Sequence, residues 1–201
     1  SLGLYSTHRP FPLTPDPEDD PGYLAVPGPG PDCADFREDW ACFAAMARQV
    51  DRCFCRVVDT LRKCRLLDDT LIVVTTDHGP AFPGMKCNLS DSGCGVMLLL
   101  RYPGEGARTV IDAQVTHLDL YPTVCDWTGL AHPGWLEGKS LRSLLRGETG
   151  ELHDATFSEI TFHAARDVQR SIRTPRYRYV RRGDDYPGAV LPNIDDGLSK
   201  R

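Results

Sequence analysis

The chain has 201 residues, of which 41% are hydrophobic and 25% are charged, an ordinary composition for a globular domain. Its formal net charge of -5 argues against a nucleic-acid surface built on excess basic residues. No apolar run approaches the roughly 20 residues that a membrane-spanning helix needs. We therefore expect one domain with a real core, or part of a larger domain.

The beginning of the chain indicates a fragment. It starts at Ser1 without an initiator methionine and runs directly into strand-like sequence that continues to Tyr5. We expect part of the protein to precede Ser1, and any signal peptide would lie in that part. The cell compartment and the oligomeric state therefore stay open.

Eight cysteines are spread along the chain, and none forms the C-x-x-C pair of a structural zinc site. Cys42, Cys53 and Cys64 recur every eleven residues in a predicted helix, which favours one buried helix face over disulfide bridges. We expect most of the cysteines to be reduced, with pairing of some of them as the alternative.

Two features precede that helix. His8 and Arg9 follow the first strand-like segment, and a histidine in this place is either a ligand-binding residue or a solvated surface residue. Residues 13–34 are rich in proline, acidic residues and glycine, which predicts a long surface loop.

Residues 35–67 show the pattern of an amphipathic helix. Apolar residues recur at steps of three and four from Trp40 to Leu61, and charged residues fall mostly on the other face. Asp35 is the expected N-cap. The helix leads into the apolar run from Leu71 to Val74, which predicts a strand buried on both faces, as in a parallel sheet.

Asp77, His78 and Gly79 follow this strand at its carboxyl end, where ligands bind in open α/β sheets. An adjacent carboxylate and imidazole can hold one divalent cation if the backbone bends, and Gly79 and Pro80 supply the bend. Lys86 closes the following loop, placed to meet an anion bound to the metal. The alternative is that Asp77 caps a turn and that His78 and Lys86 are solvated loop residues.

The remaining elements complete an α/β pattern. A second buried strand is predicted over residues 95–100 and a helix over 115–128, with Thr116 or Asp119 as its cap. Strand patterns return at residues 156–160 and 171–182. We expect part of a mixed, mostly parallel sheet flanked by helices in residues 1–150, and a small antiparallel subdomain with a tail in residues 151–201.

Four segments, in this order, resemble the second half of a sulfatase. They are G-L-Y-S-T-H-R-P-F-P at residues 3–12, D-H-G-P-A-F-P-G-M-K at 77–86, H-L-D-L-Y-P-T at 117–123 and L-E-G-K-S-L-R-S-L-L-R-G at 136–147. The sulfatases belong to the alkaline phosphatase superfamily, and the subgroup that the chain resembles is the heparan N-sulfatase (sulfamidase)-like one. The resemblance covers nearly the whole chain and implies hydrolysis of a sulfated small molecule or glycan.

The resemblance implies that Asp77 and His78 are ligands of an active-site divalent cation, usually calcium. Many sulfatases carry asparagine at the position of His78, and imidazole suits manganese, zinc or iron better than calcium. An Asp-His pair at this place also resembles the phosphonate and phosphodiester hydrolases of the same superfamily. These hydrolases are the runner-up within the enzyme class.

Four residues acquire substrate roles from the resemblance. Lys86 matches the cationic residue that contacts the sulfate or the leaving group. His8 matches the histidine that lines the sulfate pocket and can protonate the leaving atom. Glu159 and His163 lie where subgroup members approach the sugar.

The nucleophile of the family is a formylglycine made from the cysteine of C-x-P-S-R or C-x-A-S-R, and no cysteine here begins such a motif. The paired aspartates of the family's first strand are also absent, since Asp195-Asp196 and the other Asp-Asp pairs lie in predicted loops. We expect the formylglycine to lie in a preceding half and this chain to be inactive alone. A truncated family remnant or a binding module is the alternative.

Overall fold

A computed structural model describes residues 1–12, 14–104, 109–183, 188 and 190–200. The helices are α1 (Ala34–Lys63), α2 (Asp91–Cys94), α3 (Leu120–Thr128) and α4 (Arg142–Leu145). The strands are β1 (Ile72–Thr75), β2 (Leu98–Arg101), β3 (Thr156–Phe162), β4 (Arg166–Arg173) and β5 (Arg178–Arg182). Short 3-10 helices occupy Leu67–Asp69, His117–Asp119, Leu191–Asn193 and Leu198–Lys200. No helix in these ranges combines the length and the apolarity needed to cross a bilayer.

The five strands form two separate antiparallel sheets. β1 pairs with β2, so that Ile72 lies opposite Arg101 and Thr75 lies opposite Leu98. β3, β4 and β5 form a three-stranded sheet in chain order, joined by short connections. The prediction of a small antiparallel C-terminal sheet is therefore confirmed, but the strand predicted over residues 171–182 is two strands, β4 and β5, joined by a turn in which Thr174 N donates to Tyr177 O at 2.8 Å.

The expected mostly parallel sheet is not shown, because every strand pair in the described ranges is antiparallel. The connection from β1 to β2 folds back on itself, since Gly79 N donates to Gly93 O at 2.8 Å and Thr76 N to Met97 O at 3.4 Å. The connection therefore brings the chain back to the same end of β1 from which it left, and β2 runs antiparallel to β1. A strand parallel to β1 would need a crossover connection to the opposite end of the sheet. The segment from Ser1 to Tyr5, expected as a strand, has no assigned secondary structure.

Helix α1 forms where the periodicity predicts it but is buried only near its start. It begins at Ala34, so Asp35 lies in the first turn rather than at the N-cap. In the first turn its negative charge still interacts favourably with the helix dipole. Cys42 is buried, Cys53 is half-buried and Cys64 is exposed, so the expected single buried face does not extend along the helix. All eight cysteines are free.

The loop that follows β1 belongs to the main hydrophobic core. Phe82 and Met85 are almost completely buried against Phe36 of α1. The aromatic ring of Phe82 lies 5.1 Å from that of Trp40 and 5.8 Å from that of Phe43. Burial of these large side chains anchors the loop on α1, and the position of the next residue, Lys86, is set by that anchor.

A buried ion pair joins four segments of the chain. Arg9 donates to both carboxylate oxygens of Asp39 on α1, at 2.9 and 2.7 Å, and both side chains are 5% exposed. Its Nε donates to Ala81 O at 2.9 Å, and its guanidinium lies 4.8 Å from the centre of the Phe82 ring. Asp39 also accepts from Ser199 N at 3.0 Å. The pair thus fixes the N-terminal segment, α1, the loop after β1 and the C-terminal tail to one another.

The segment H-L-D-L-Y-P-T is organised around the fully buried carboxylate of Asp119. This carboxylate accepts from Thr116 N and Lys139 N, each at 2.8 Å, and contacts His153 Nε2 at 2.9 Å. Thr116 caps the short helix before α3, as expected, by accepting from Leu118 N. This motif therefore has a structural role: it ties α3 to the chain on its C-terminal side.

The C-terminal sheet rests on the segment that follows Lys86. In β5 the alternation of basic and aromatic residues yields two faces, with Tyr179 65% exposed and Arg178 turned inward. Arg178 donates to Leu89 O at 2.8 Å and to Asp91 at 3.0 Å. Gln169 of β4 is buried on the same side. The basic side chain here holds the sheet in place, and the aromatic one faces solvent.

We predict that Asp39→Asn destabilises the fold strongly. The substitution leaves the Arg9 guanidinium buried without its counter-charge, and breaking a buried ion pair from one side costs about 3–5 kcal/mol. The measurement is the free energy of unfolding in urea at pH 7. Asp59→Asn is the matched control, since Asp59 lies on the same helix and pairs with Arg62 where both side chains are more than half exposed. Its effect should stay within about 0.5 kcal/mol.

The difference between wild type and Asp39→Asn should shrink in acid. Burial raises the pKa of the Asp39 carboxyl, but the hydrogen bonds from Arg9 and Ser199 outweigh it and hold this pKa below its ordinary value of 3.8. A carboxylate with a depressed folded pKa stabilises fully above the unfolded pKa and loses this effect as the pH falls through the folded pKa. Equal unfolding free energies of Asp39→Asn and wild type at pH 7 would contradict the role given to the Arg9–Asp39 pair.

Candidate functional site

Asp77 and His78 place a carboxylate oxygen and an imidazole nitrogen close together, open to solvent, just beyond β1. Asp77 Oδ2 lies 3.6 Å from His78 Nε2, and the Asp77 side chain is 87% exposed. The other ring nitrogen, Nδ1, lies 2.7 Å from Gly79 O. Because a carbonyl oxygen only accepts, this contact requires the proton on Nδ1, which leaves a lone pair on Nε2 of the neutral ring.

The bend that brings these two side chains together depends on glycine. Gly79 packs so closely on the segment before β2 that a Cβ at this position would lie 1.8 Å from Ser92 O. His78 N donates to Asp77 Oδ1 at 3.0 Å, which closes the turn. The expected bend at Gly79 is therefore present, and it turns two sequence neighbours to the same side.

Lys86 is a buried cation rather than a solvated loop residue. Its side chain is 6% exposed, and Nζ donates to Asp195 Oδ2 at 2.6 Å. The backbone N–H of Lys86 donates to Pro80 O at 3.1 Å. Cys87 then adopts a left-handed conformation with φ of 57°, uncommon for a non-glycine residue, which turns the chain away directly after Lys86. The solvated-loop alternative is thus wrong for Lys86.

His8 lies exposed on the surface. Its Nδ1 contacts Arg9 O at 2.7 Å, which by the same reasoning as for His78 leaves Nε2 unprotonated in the neutral ring. The hydrogen bond from Lys86 holds the pKa of the Asp195 carboxyl below its ordinary value, and the positive charges of Lys86 and His8 add to this effect. Asp195 is therefore in direct contact with Lys86 and within the electrostatic reach of His8.

Glu159 and His163 lie on the C-terminal sheet. Glu159 is exposed on β3 and pairs with Arg170 of β4 at 2.9 Å. His163 is exposed in the turn between β3 and β4. The next two residues of that turn donate their backbone N–H groups to Asn193 Oδ1, at 2.8 and 2.6 Å. This links the His163 turn to the segment that carries Asp195, whereas Glu159 is held by its neighbour on the outer face.

Asp195 is the member of this group that the sequence does not reveal. It lies in a tail predicted as irregular, and it is separated from Lys86 by 109 positions. The only indication is that a buried lysine needs an acidic partner, but the chain contains 28 aspartates and glutamates and no local pattern selects among them.

The Asp77–His78 pair fits part of a metal site. One carboxylate oxygen and one imidazole nitrogen, 3.6 Å apart, can ligate the same divalent ion, and the bond from Nδ1 to a backbone carbonyl is the usual support of a metal-binding histidine. In the part of the chain that the structure describes, no group of three or more His, Cys, Asp or Glu residues has the arrangement of a metal site. The pair therefore supplies two ligands and not a complete set.

Comparison with known proteins identifies the family. The family described as "Sulfatase" matches residues 1–130, and the family described as "N-sulphoglucosamine sulphohydrolase, C-terminal" matches residues 86–187. The chain belongs to the sulfatase family. The expected resemblance to the sulfamidase-like subgroup and to the C-terminal part of such a protein is thereby confirmed.

Individual relatives agree with this assignment. Human N-sulphoglucosamine sulphohydrolase is 32% identical over 140 residues, which are 64% of this chain and 28% of that protein. Mouse arylsulfatase K is 28% identical over 167 residues, which are 78% of this chain and 30% of that protein. The structure of a phosphonate monoester hydrolase from Silicibacter pomeroyi superposes with a TM-score of 0.67 at 25% identity, covering 90% of this chain and 44% of that one. The chain thus spans less than a third of the curated relatives' length.

We predict that Gly79→Ala disrupts the Asp77–His78 turn. The added methyl group meets the backbone oxygen of Ser92 and not a flexible side chain, so the backbone must move, and overpacking of this kind costs about 1–3 kcal/mol. The measurements are urea unfolding and the NMR chemical shifts of the His78 ring. The control is Gly150→Ala, because a Cβ at Gly150 has no neighbour within 4 Å. Unchanged His78 shifts in Gly79→Ala would show that the turn does not depend on glycine.

Proposed function

We propose that this chain is the C-terminal part of a sulfatase-type hydrolase that cleaves sulfuric esters or sulfamates, with a sulfated carbohydrate as its substrate. One observation supports this most directly. The carboxylate oxygen of Asp77 and the free ring nitrogen of His78 lie 3.6 Å apart, open to solvent, at the end of β1. The loop that carries them ends in a buried cation, Lys86.

In this proposal Asp77 and His78 hold one divalent metal ion. When bound, the ion neutralises charge on the sulfate oxygens, a stabilisation that grows as charge develops in the transition state. Calcium is the ion that the family resemblance favours, whereas the nitrogen donor of His78 suits manganese, zinc or iron better. The Nδ1 bond to Gly79 O keeps the His78 ring oriented with Nε2 toward Asp77.

Lys86 and His8 act on the anion and on the leaving group. The Lys86 ammonium binds a sulfate oxygen or the leaving atom as a fixed point charge. His8, with Nδ1 anchored on Arg9 O, carries the transferable proton on Nε2 when the ring is protonated and donates it to the leaving atom. The Asp195 carboxylate supports the role of Lys86 by accepting from its Nζ at 2.6 Å, which holds the ammonium in place.

Glu159 and His163 are proposed to contact the sugar. His163 is supported by the turn that carries it, which is bonded to Asn193, two positions before Asp195. Glu159 reaches the sugar only if it exchanges its partner Arg170 for a hydroxyl group, which its 70% exposure permits. An amino sugar as substrate is suggested by the relative that is named N-sulphoglucosamine sulphohydrolase.

The remaining machinery is proposed to lie in an N-terminal half of the whole protein. No cysteine of this chain begins C-x-P-S-R or C-x-A-S-R, so the formylglycine nucleophile must come from outside these residues. The other metal ligands and the parallel strands that would extend the sheet are assigned to the same half, with residues 1–150 completing its catalytic domain and 151–201 forming the small subdomain. The chain alone is then inactive.

Hydrolysis of phosphonate monoesters is the second candidate. It is favoured by His78 in place of the asparagine found in many sulfatases, and by the superposition on a phosphonate monoester hydrolase over 90% of this chain. The two activities share the metal and the cations and differ in the anion that they cleave.

We predict that Mn²⁺ added to this chain broadens the NMR signals of the His78 ring selectively. The ring nitrogen of His78 is one of the two ligands, so Asp77→Ala should weaken this selective broadening. The matched control is His132→Ala, since His132 also contacts a neighbouring aspartate, Asp126, at 2.7 Å, but through Nε2. Equal broadening of the His78 and His132 signals would indicate non-specific binding and contradict the assignment.

We predict that the whole protein, with its formylglycine half and metal, releases sulfate from an N-sulfated glucosamine. Lys86→Ala should lower kcat/KM about 100- to 1000-fold, the usual effect of removing one charge-stabilising group. Lys63→Ala is the control, because Lys63 is exposed in the last turn of α1. Cleavage of a phosphonate monoester without any sulfate release would favour the second candidate, and activity retained in Lys86→Ala would refute the role of Lys86.

A further inference from the structure

We propose that Asp195 is a positioning residue that holds the Lys86 ammonium at the place where the substrate anion binds. The inference deepens the proposed function, on which it depends for the identity of the anion. Three observations carry it: the geometry of the ion pair, the attachment of the segment that bears Asp195, and the different surroundings of the adjacent Asp196.

The ion pair explains how the Lys86 side chain can be buried, although lysine side chains are rarely buried. Nζ of Lys86 lies 2.6 Å from Asp195 Oδ2, and the side chains are 6% and 32% exposed. A buried ammonium without a counter-charge is costly, and a carboxylate within hydrogen-bond distance offsets most of that cost. An ammonium has three N–H donors, so one bond to Asp195 leaves two for other acceptors. Asp195 thus fixes the group without using up its binding capacity.

Asp195 belongs to a strap, residues 193–200, that is attached at both ends. At its start Asn193 Oδ1 accepts two backbone N–H groups from the turn between β3 and β4. At its end Ser199 N donates to Asp39, and Arg9 Nη2 donates to Ser199 Oγ at 3.3 Å. Lys200 Nζ donates back to Ile194 O at 2.7 Å. These attachments hold the Asp195 carboxylate in place from both sides.

The strap packs tightly over the Arg9–Asp39 pair. A Cβ at Gly197 would lie 2.1 Å from Arg9 Nη1, so the backbone is in direct contact with the guanidinium. The strap is thereby fixed to the residue that immediately follows His8. The same interaction consequently positions both His8 and the carboxylate that faces Lys86.

The two neighbouring aspartates of the strap have different surroundings. Asp196 is 96% exposed and pairs with Lys200 at 2.7 Å, four positions along the chain. Asp195 is 32% exposed and pairs instead with Lys86, 109 positions away, at 2.6 Å. Asp196 is therefore a matched control of the same residue type in the same segment.

The test is NMR of the Lys ammonium groups in the chain labelled with ¹⁵N-lysine, titrated with inorganic sulfate. The chain has only four lysines, and Lys86→Arg assigns the Lys86 signal by its disappearance. In wild type we expect the Lys86 ammonium protons to exchange about tenfold more slowly than those of Lys63, because a hydrogen bond to a charged group protects them. Sulfate should shift the Lys86 signal saturably.

Asp195→Asn should remove the slow exchange and weaken the sulfate response of the Lys86 signal about tenfold or more. Asp196→Asn should leave both unchanged, and Asp195→Glu, which restores the charge on a longer side chain, should recover part of the response. A Lys86 signal in wild type that does not respond to sulfate would show that the ion pair is only structural and would overturn the proposal. An equal response in Asp195→Asn would overturn it as well.

Two further results separate the possible failures. If Asp195→Asn does not fold, the titration of Asp195→Glu tests the proposal instead. The longer side chain displaces the carboxylate, which should shift the Lys86 signal and change its affinity for sulfate. An unchanged titration in Asp195→Glu would refute the proposal. The binding measurement needs neither metal nor nucleophile. Absence of sulfate release by the whole protein would therefore count against the proposed function and leave the result for Asp195 standing.

Discussion

The buried pair of Arg9 and Asp39 is the interaction on which the arrangement of the candidate site depends. Arg9 directly follows His8, bonds to the loop that ends in Lys86, and is covered by the strap that carries Asp195. Such a pair is weak evidence for stability by itself, because desolvation of both charges offsets much of their attraction. Its value here is geometric, since a bidentate contact fixes an angle as well as a distance and brings three separate segments to one place.

The candidate site has one exposed part and one buried part. The Asp77–His78 pair is open to solvent, although its backbone is fixed by the close contact of Gly79 with Ser92. Lys86, nine residues after Asp77, is enclosed and already paired. Such a division suits a site completed from outside the chain, because the exposed atoms are those that still need partners. The sulfatase relatives, which extend well beyond the part matched here, are consistent with that arrangement.

The parts of the fold that the sequence predicts are those determined by neighbouring residues. The helical period of residues 35–67 and the β-branched run before Thr75 are local patterns, and both elements form within a few residues of the expected bounds. The turn at Gly79 is likewise local. Strand direction is not, because it depends on where the connection from β1 returns, which hydrogen bonds such as that between Gly79 and Gly93 decide. The partner of Lys86 is beyond local prediction for the same reason.

The strap gives the last residues of the chain an importance that their irregular sequence conceals. A polypeptide ending before residue 193 would still contain all the residues of β1 to β5 and of α1 to α4. It would nevertheless lack the carboxylate opposite Lys86 and the cover over Arg9. The loss of residues 193–200 would thus change the surroundings of Lys86 and Arg9 in the candidate site, and not merely shorten a tail.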